Sequence, residues 1–335
     1  MKIFVTGLIG PAEEVYSLRA EGHEVVVGRE GPAYSEPELQ ELCRDADVIM
    51  AASRDMISRK VLEASDRLRL VVVPFIGVDN IDVEAATELG ILVANSPSPE
   101  NVIGMAEVTI GLMLSLLKHM KQNEARLRGG EWRRPEDQGD MLYRKTVGIV
   151  GLGRIGSHVA RRLAAWEVTL LANDPYVSPD HAKSVNARLT DLSALLRTSD
   201  IVTLHVVYTN ETRGLIGERE LRAMKPTAFL LNTARGGVVD EGVLARAIEE
   251  GWIAGAALDT FEQEPLPQGS PLRRLDPQKA ILTPHNVGLS EAGRRANFAM
   301  ALRNIHQVFG GEPPDHTKNR EAIPRWQERL RKLGA

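Results

Sequence analysis

The sequence predicts an α/β protein of two doubly wound domains, each a parallel sheet with helices on both faces. Short apolar runs alternate with amphipathic stretches along the whole chain, which is the pattern of strand–helix–strand units. Residues 147–156 read VGIVGLGRIG, an apolar strand that runs into Gly151, Gly153 and Gly156 and opens an amphipathic helix. That motif begins a sheet of its own, so the hundred or so residues before it must fold as another domain.

The first series of strands is expected at residues 3–5, 24–27, 48–51, 70–73 and 91–94, with a helix over 37–43 among them. A long helix over 101–127, apolar at Met105, Val108, Ile110, Leu112, Met113 and Leu116, connects to the second series. That series comprises 147–150, 168–172, 201–204, 228–231, 254–257 and 280–282, six strands in all. A last long helix starts with Ser290 as N-cap and Glu291 in its first turn, and runs to Gly310. The basic stretch 325–335 reads as a solvated helix or a frayed end without a role. The expected domains are therefore 1–100 plus 290–335, and 101–289.

Each glycine of the motif meets a separate demand. The strand must turn sharply at Gly151, a pyrophosphate must lie close to the backbone at Gly153, and the helix must pack tightly at Gly156. The helix that begins near Arg154 turns unpaired N–H groups and its positive dipole end to the phosphates. Eighteen residues after Gly156 comes Asp174, at the end of the next strand, where a carboxylate accepts hydrogen bonds from the ribose hydroxyls of NAD. The extra phosphate of NADP would meet it at a cost of about 1 kcal/mol per charge pair in water and about 4 at an effective dielectric of 20. NAD is the expected cofactor.

The bulk properties narrow the classes further. With 335 residues, 43% hydrophobic, and a net charge of −4, the chain has cores for two domains and no charge excess that would draw nucleic acid or an acidic membrane. Cys43 is the single cysteine and reads as a small helix residue; no internal disulfide is possible. The first apolar run is too short for a secretion signal, and no run of 18 uninterrupted apolar residues occurs. The expectation is a soluble, cytoplasmic protein that holds no metal.

Three further segments carry the chemistry. Arg235 follows the strand at 228–231, an acidic loop DTFEQEP runs from Asp259 past Glu262 and Glu264 to Pro265, and His285 stands in a TPHNVG segment after the last strand. Ligands of open parallel sheets bind at the carboxyl ends of strands, so all three segments converge on one edge. A guanidinium there suits a carboxylate, and an imidazole suits proton transfer near neutral pH. Taken singly each has a plain structural alternative: an ion pair with Asp240, a surface turn, a loop histidine held by backbone. The remaining histidines, His205 in a strand included, read as structural.

Together with the glycine motif these segments closely resemble the D-2-hydroxyacid dehydrogenase family, over about residues 45–322, in a short form similar to its 3-phosphoglycerate dehydrogenases and expected to lack their regulatory domain. Asp79-Asn80-Ile81-Asp82 matches the family's mark in the first domain, residues 101–107 its connector, and 204–216 its third nucleotide strand and following turn. The resemblance implies a flavodoxin-like substrate domain and a Rossmann NAD-binding domain. It implies hydride transfer between NAD(H) and a small D-2-hydroxy acid or its 2-oxo acid, with Arg235, Glu264 and His285 as catalytic residues. Glu264 falls at the matching position and Glu262 does not. Cofactor contacts are implied at Gly151, Gly153, Arg154, Ile155, Gly156, Asp174, Val206, Thr233, Asp259 and Gly288, and substrate contacts at Arg54, Ile76, Gly77 and Arg235. A homodimer is implied as well. Corepressors of the C-terminal-binding-protein type share the scaffold and keep the same three residues, which leaves an NAD(H)-sensing interaction protein as the alternative. Two departures stand out: Ala52 replaces one of two arginines that hold the phosphate in 3-phosphoglycerate dehydrogenases, and Phe75 replaces a frequent glycine. Formate dehydrogenases carry glutamine at the Glu264 position.

Overall fold

The computed structural model describes residues 1–7, 12–135 and 138–334, and the chain divides into two compact units, Met1–Asn101 with Ser290–Ala335, and Val102–Leu289. The first unit begins with β1 (Lys2–Val5), α1 (Ala12–Ala20), β2 (Glu24–Val27), α2 (Glu36–Cys43), β3 (Val48–Met50), α3 (Arg59–Glu63), β4 (Leu70–Val72), α4 (Val83–Leu89) and β5 (Leu92–Ala94). Its five strands are parallel in the order β2-β1-β3-β4-β5. Strand alternation sends Ile3 and Val5 to one face and Phe4 to the other, so both faces carry a packed layer.

The second unit takes most of α5 (Pro99–Leu117), then α6 (Met120–Arg128), β6 (Thr146–Val150), α7 (Arg154–Leu163), β7 (Thr169–Asn173), α8 (Pro179–Ser184), β8 (Arg188–Leu189) and α9 (Leu192–Thr198). It continues through β9 (Ile201–Leu204), α10 (Glu218–Ala223), β10 (Phe229–Asn232), α11 (Glu241–Glu249), β11 (Gly255–Leu258) and β12 (Ala280–Leu282). The sheet runs β12-β11-β10-β9-β6-β7-β8, all parallel, and strand order reverses between β6 and β9. The glycine motif opens at that reversal, where such sheets bind ligands. The sheet has seven strands, not six: β8 is two residues long, too short to leave an apolar run in the sequence.

The expected helix over 101–127 is two helices. After Leu117 the chain turns through His119 in the left-handed region (φ 50°), and the Leu117 carbonyl accepts from Asp140 N at 2.7 Å instead of from a further helical turn. Gly139 permits this approach, since a Cβ there would stand 2.5 Å from the Leu117 oxygen. By length and hydropathy α5 could cross a membrane, yet its Ala106, Ile110, Met113 and Leu116 belong to the second unit's core.

Two C-terminal helices, α12 (Glu291–Phe309) and α13 (Ile323–Lys332), complete the first unit. Ser290 caps α12 through Gly293 N. The basic stretch has a structural part: α13 buries Trp326 and Leu330 against the sheet, and Arg329 donates to the carbonyls of Ser65, Asp66 and Leu68. Trp326 and Leu330, one helical turn apart, were the apolar signal beneath the charge. Trp326 is the largest fully buried side chain. Trp326→Ala is expected to cost about 3–5 kcal/mol of unfolding free energy, read from the denaturation midpoint.

Candidate active site

At the β6–α7 turn two of the three glycines are required by contact. Gly151 takes φ 93°, and a Cβ on it would lie 2.7 Å from the His205 backbone; a Cβ on Gly156 would lie 2.1 Å from the Gly151 oxygen. Gly153 faces open space, which leaves its backbone free for close approach by a ligand. Arg154 and Ile155 open α7, so their N–H groups lie in its unpaired first turn. Asp174 accepts from Leu152 N (2.8 Å) and Tyr176 N (2.9 Å), which ties the glycine turn to the end of β7 and leaves lone pairs on both oxygens. Thr233, just past β10, has a buried hydroxyl with no hydrogen-bond partner. An open glycine turn, a carboxylate with spare lone pairs and an orphaned hydroxyl at the strand ends fit a dinucleotide. Val206 is half-buried beside this turn. Gly288 has a packing reason: a Cβ there would overlap the Met105 sulfur at 1.9 Å.

Around the ends of β10, β11 and β12 the reactive groups meet. His285 Nδ1 lies 2.7 Å from Glu264 Oε2, and Glu264 Oε1 accepts from Phe261 N at 3.0 Å. Glu262 instead donates its N–H to Glu241. The β10 and β11 loops touch along their backbones, because a Cβ on Gly236 would sit 1.8 Å from the Phe261 carbonyl carbon. That contact brings Arg235, whose Nη1 donates to Ala234 O, into the field of both Glu264 and His285.

The charges of this group are set by their neighbours. The hydrogen bond to Glu264 raises the His285 pKa above the ordinary imidazole value, against an opposing effect of burial. Burial alone would push the Glu264 carboxyl up, but the bonds from His285 and Phe261 N and the Arg235 charge outweigh it and hold the pKa below the usual value. Asp259 is raised by burial. Its Oδ1 accepts from Thr283 Oγ1 (2.7 Å), Asn286 N (3.0 Å) and Val287 N (3.4 Å), so it anchors the loop that carries His285, itself at φ 49°. Thr283 was missed in the sequence, although its place two residues before the histidine was a signal. Two other imidazoles of this unit play no such part: burial pushes His205 down to about 4, and His181 is held by Ser157 Oγ and Leu152 O. Burial pushes the Cys43 thiol up to about 12, which leaves it inert.

The first unit holds the other expected residues. Arg54 donates to Arg29 O at 2.6 Å and lies 3.7 Å from the buried Asp55 carboxylate. Asn80 holds its loop through Ala52 O and Asp55 O, and Asp82 caps α4 through Ala85 N. Ile76 and Gly77 lie half-buried in the turn after β4, and their N–H groups donate to nothing among the described residues.

Residues 110–287 match the model of the D-isomer specific 2-hydroxyacid dehydrogenase, NAD binding domain. The chain belongs to this family. It is 39% identical to a glyoxylate reductase of Thermofilum pendens over 96% of this chain and 95% of that protein. It is 40% identical to a D-3-phosphoglycerate dehydrogenase of Methanocaldococcus jannaschii over 99% of this chain, and spans only 62% of that protein's length. Among solved structures, the TT0316 protein of Thermus thermophilus superposes with a TM-score of 0.87 at 32% identity, covering 95% of this chain and all of that one. The cofactor of the family's second domain is NAD, in agreement with Asp174.

The pair geometry gives a signed expectation for this dehydrogenase family member. Glu264→Gln removes the charge that raises the His285 pKa, so the imidazole loses its proton at lower pH than in the parent. The descending limb of kcat/KM for reduction of a 2-oxo acid should move to lower pH, with NADH affinity unchanged, as read by a pH–rate profile and fluorescence titration.

Proposed function

We propose that the chain is an NAD-dependent oxidoreductase that interconverts a small, unphosphorylated D-2-hydroxy acid and its 2-oxo acid. The observation that carries this reading is the 2.7 Å His285–Glu264 pair beside Arg235 at the strand ends of an NAD-binding sheet. Bound NAD(H) supplies or accepts the hydride. His285 Nε2, free of the Glu264 contact, gives or takes the proton of the C2 oxygen. Glu264 fixes the ring orientation and stabilises its cationic form. Arg235 binds the substrate carboxylate and polarises the reacting carbonyl. Within the first unit, the backbone N–H groups of Ile76 and Gly77 offer two donors for a carboxylate.

The absence of a phosphate in the proposed substrate rests on the β3 loop. Ala52 offers no charge, and the Arg54 guanidinium is engaged by Arg29 O and by Asp55. A dianionic phosphate draws more than one uncommitted cation. The near-full-length match to a glyoxylate reductase favours the same small acids. No observation favours the NAD(H)-sensing alternative.

Purified protein with NADH and a panel of glyoxylate, hydroxypyruvate, pyruvate, phenylpyruvate and branched 2-oxo acids should show turnover with the smallest members. His285→Gln should lower kcat by about 10²–10⁴-fold while NADH still binds. Inactivity across the panel with NADH and NADPH overturns the reading.

A cytosolic homodimer is the proposed working form. Its support is the single buried thiol, which suits a reducing compartment, and an apolar surface on and after α6: Met120, Leu127, Trp132 and Met141 are all more than half exposed. Light scattering should give twice the 36.8 kDa chain mass; a monomer mass removes the dimer.

A further inference from the structure

Within the first unit, two buried side chains and one buried backbone amide surround the turn that carries Ile76 and Gly77. Asn95 Nδ2 donates to Ile76 O at 2.6 Å, and Ser96 N donates to Phe75 O at 2.9 Å. Asn95 is 3% exposed and Ser96 fully buried. The segment is itself tied down: Ser96 Oγ donates to Val73 O at 2.8 Å, and the Asn95 carbonyl accepts from Asn304 Nδ2 of α12 at 3.0 Å. Asn304 is 1% exposed, so the chain of bonds from α12 to the turn is shielded from water.

A peptide group is planar, and in the trans form its C=O and N–H point in opposite directions. The Phe75 carbonyl shares a plane with the Ile76 N–H, and the Ile76 carbonyl shares one with the Gly77 N–H. Holding the two oxygens therefore aims the two N–H groups away from Asn95 and Ser96. Those are the two N–H groups that donate to nothing among the described residues. Adjacent N–H groups left free in one turn are available to an anion, and here the peptide planes that carry both are fixed before any ligand arrives.

We propose that Asn95 is a positioning residue for substrate: it orients the Gly77 N–H as a preformed donor for a carboxylate, with Asn304 bracing it from the C-terminal helix. Asn95 does not touch the substrate. The proposal rests on the activity proposed above, and its consequence is confined to acid binding. Ile76 and Gly77 need only the right peptide orientation, so a freely rotating peptide would lower affinity for the acid without altering the proton-transfer pair of the second unit.

The test compares wild type with Asn95→Ala and with Asn95→Leu, which nearly keeps the shape but removes the donor. With glyoxylate and NADH, each variant should raise KM by about tenfold to a hundredfold, the effect of one lost hydrogen bond to a charged group, with kcat and the NADH dissociation constant nearly unchanged. Inhibition by oxamate should weaken by the same factor. Turnover with KM and oxamate inhibition unchanged in a folded variant overturns the proposal and leaves the activity standing. Where neither variant folds, amide hydrogen exchange of wild type, with NADH and with or without oxamate, tests the donors that Asn95 is proposed to aim. Oxamate-dependent protection at Ile76 and Gly77 supports the clamp whether or not glyoxylate is turned over; no protection there overturns it.

Discussion

One carboxylate oxygen organises the reactive end of the second unit. Asp259 Oδ1 collects the Thr283 hydroxyl and the N–H groups of Asn286 and Val287, and so closes the loop that leaves β12 against the end of β11. The loop holds His285 in a left-handed conformation that a residue with a Cβ seldom adopts, which needs surrounding contacts to sustain it. Burial penalises the Asp259 charge, and the three donors offset part of that penalty. Without this anchor the imidazole would have no fixed position from which to meet Glu264.

Three ionisable groups within a few residues of the strand ends are thus driven in different directions. His285 is raised by its partner, Glu264 is lowered by the same contact, and Asp259 is raised by its surroundings. Environments that separate the pKa values of neighbouring groups assign their roles. In the proposed reaction the histidine is therefore the proton carrier and the glutamate its counter-charge, while the aspartate is a structural acceptor. His205 lies at the end of β9 in the same sheet, but burial keeps it neutral and it takes no part.

Much of this was legible in the sequence where a residue type answers a local demand. The glycines of the β6–α7 turn, the Ser290 cap and the short apolar runs of the strands answer local demands of backbone geometry and burial, and they appear in the structure where the pattern put them. The pairing of Glu264 with His285, in preference to Glu262, was read from resemblance and is present at 2.7 Å. What escaped depends on contacts between distant segments. The break after Leu117 is set by Asp140 and Gly139, more than twenty residues on, and the place of α13 by Trp326 meeting a sheet laid down more than two hundred residues earlier. Asn95 belongs with these: an asparagine between a strand and a helix signals a turn, and its bonds to Ile76 and Asn304 exist only once the fold has formed.

The two kinds of carboxylate recognition proposed here differ in cost. A guanidinium such as Arg235 brings a full charge, tolerates small displacements and serves any anion within reach. A pair of backbone N–H groups brings only partial charges, and its strength comes from being aimed beforehand, with no reorganisation left to perform when the ligand binds. Such a pair acts through geometry: it accepts an anion whose oxygens meet the N–H directions as they stand. In the first unit, aimed amides at Ile76 and Gly77 accompany an arginine already committed to Asp55 and Arg29. In the proposed function that combination is the reason to expect a compact monoanionic acid, for which orientation counts for more than total charge.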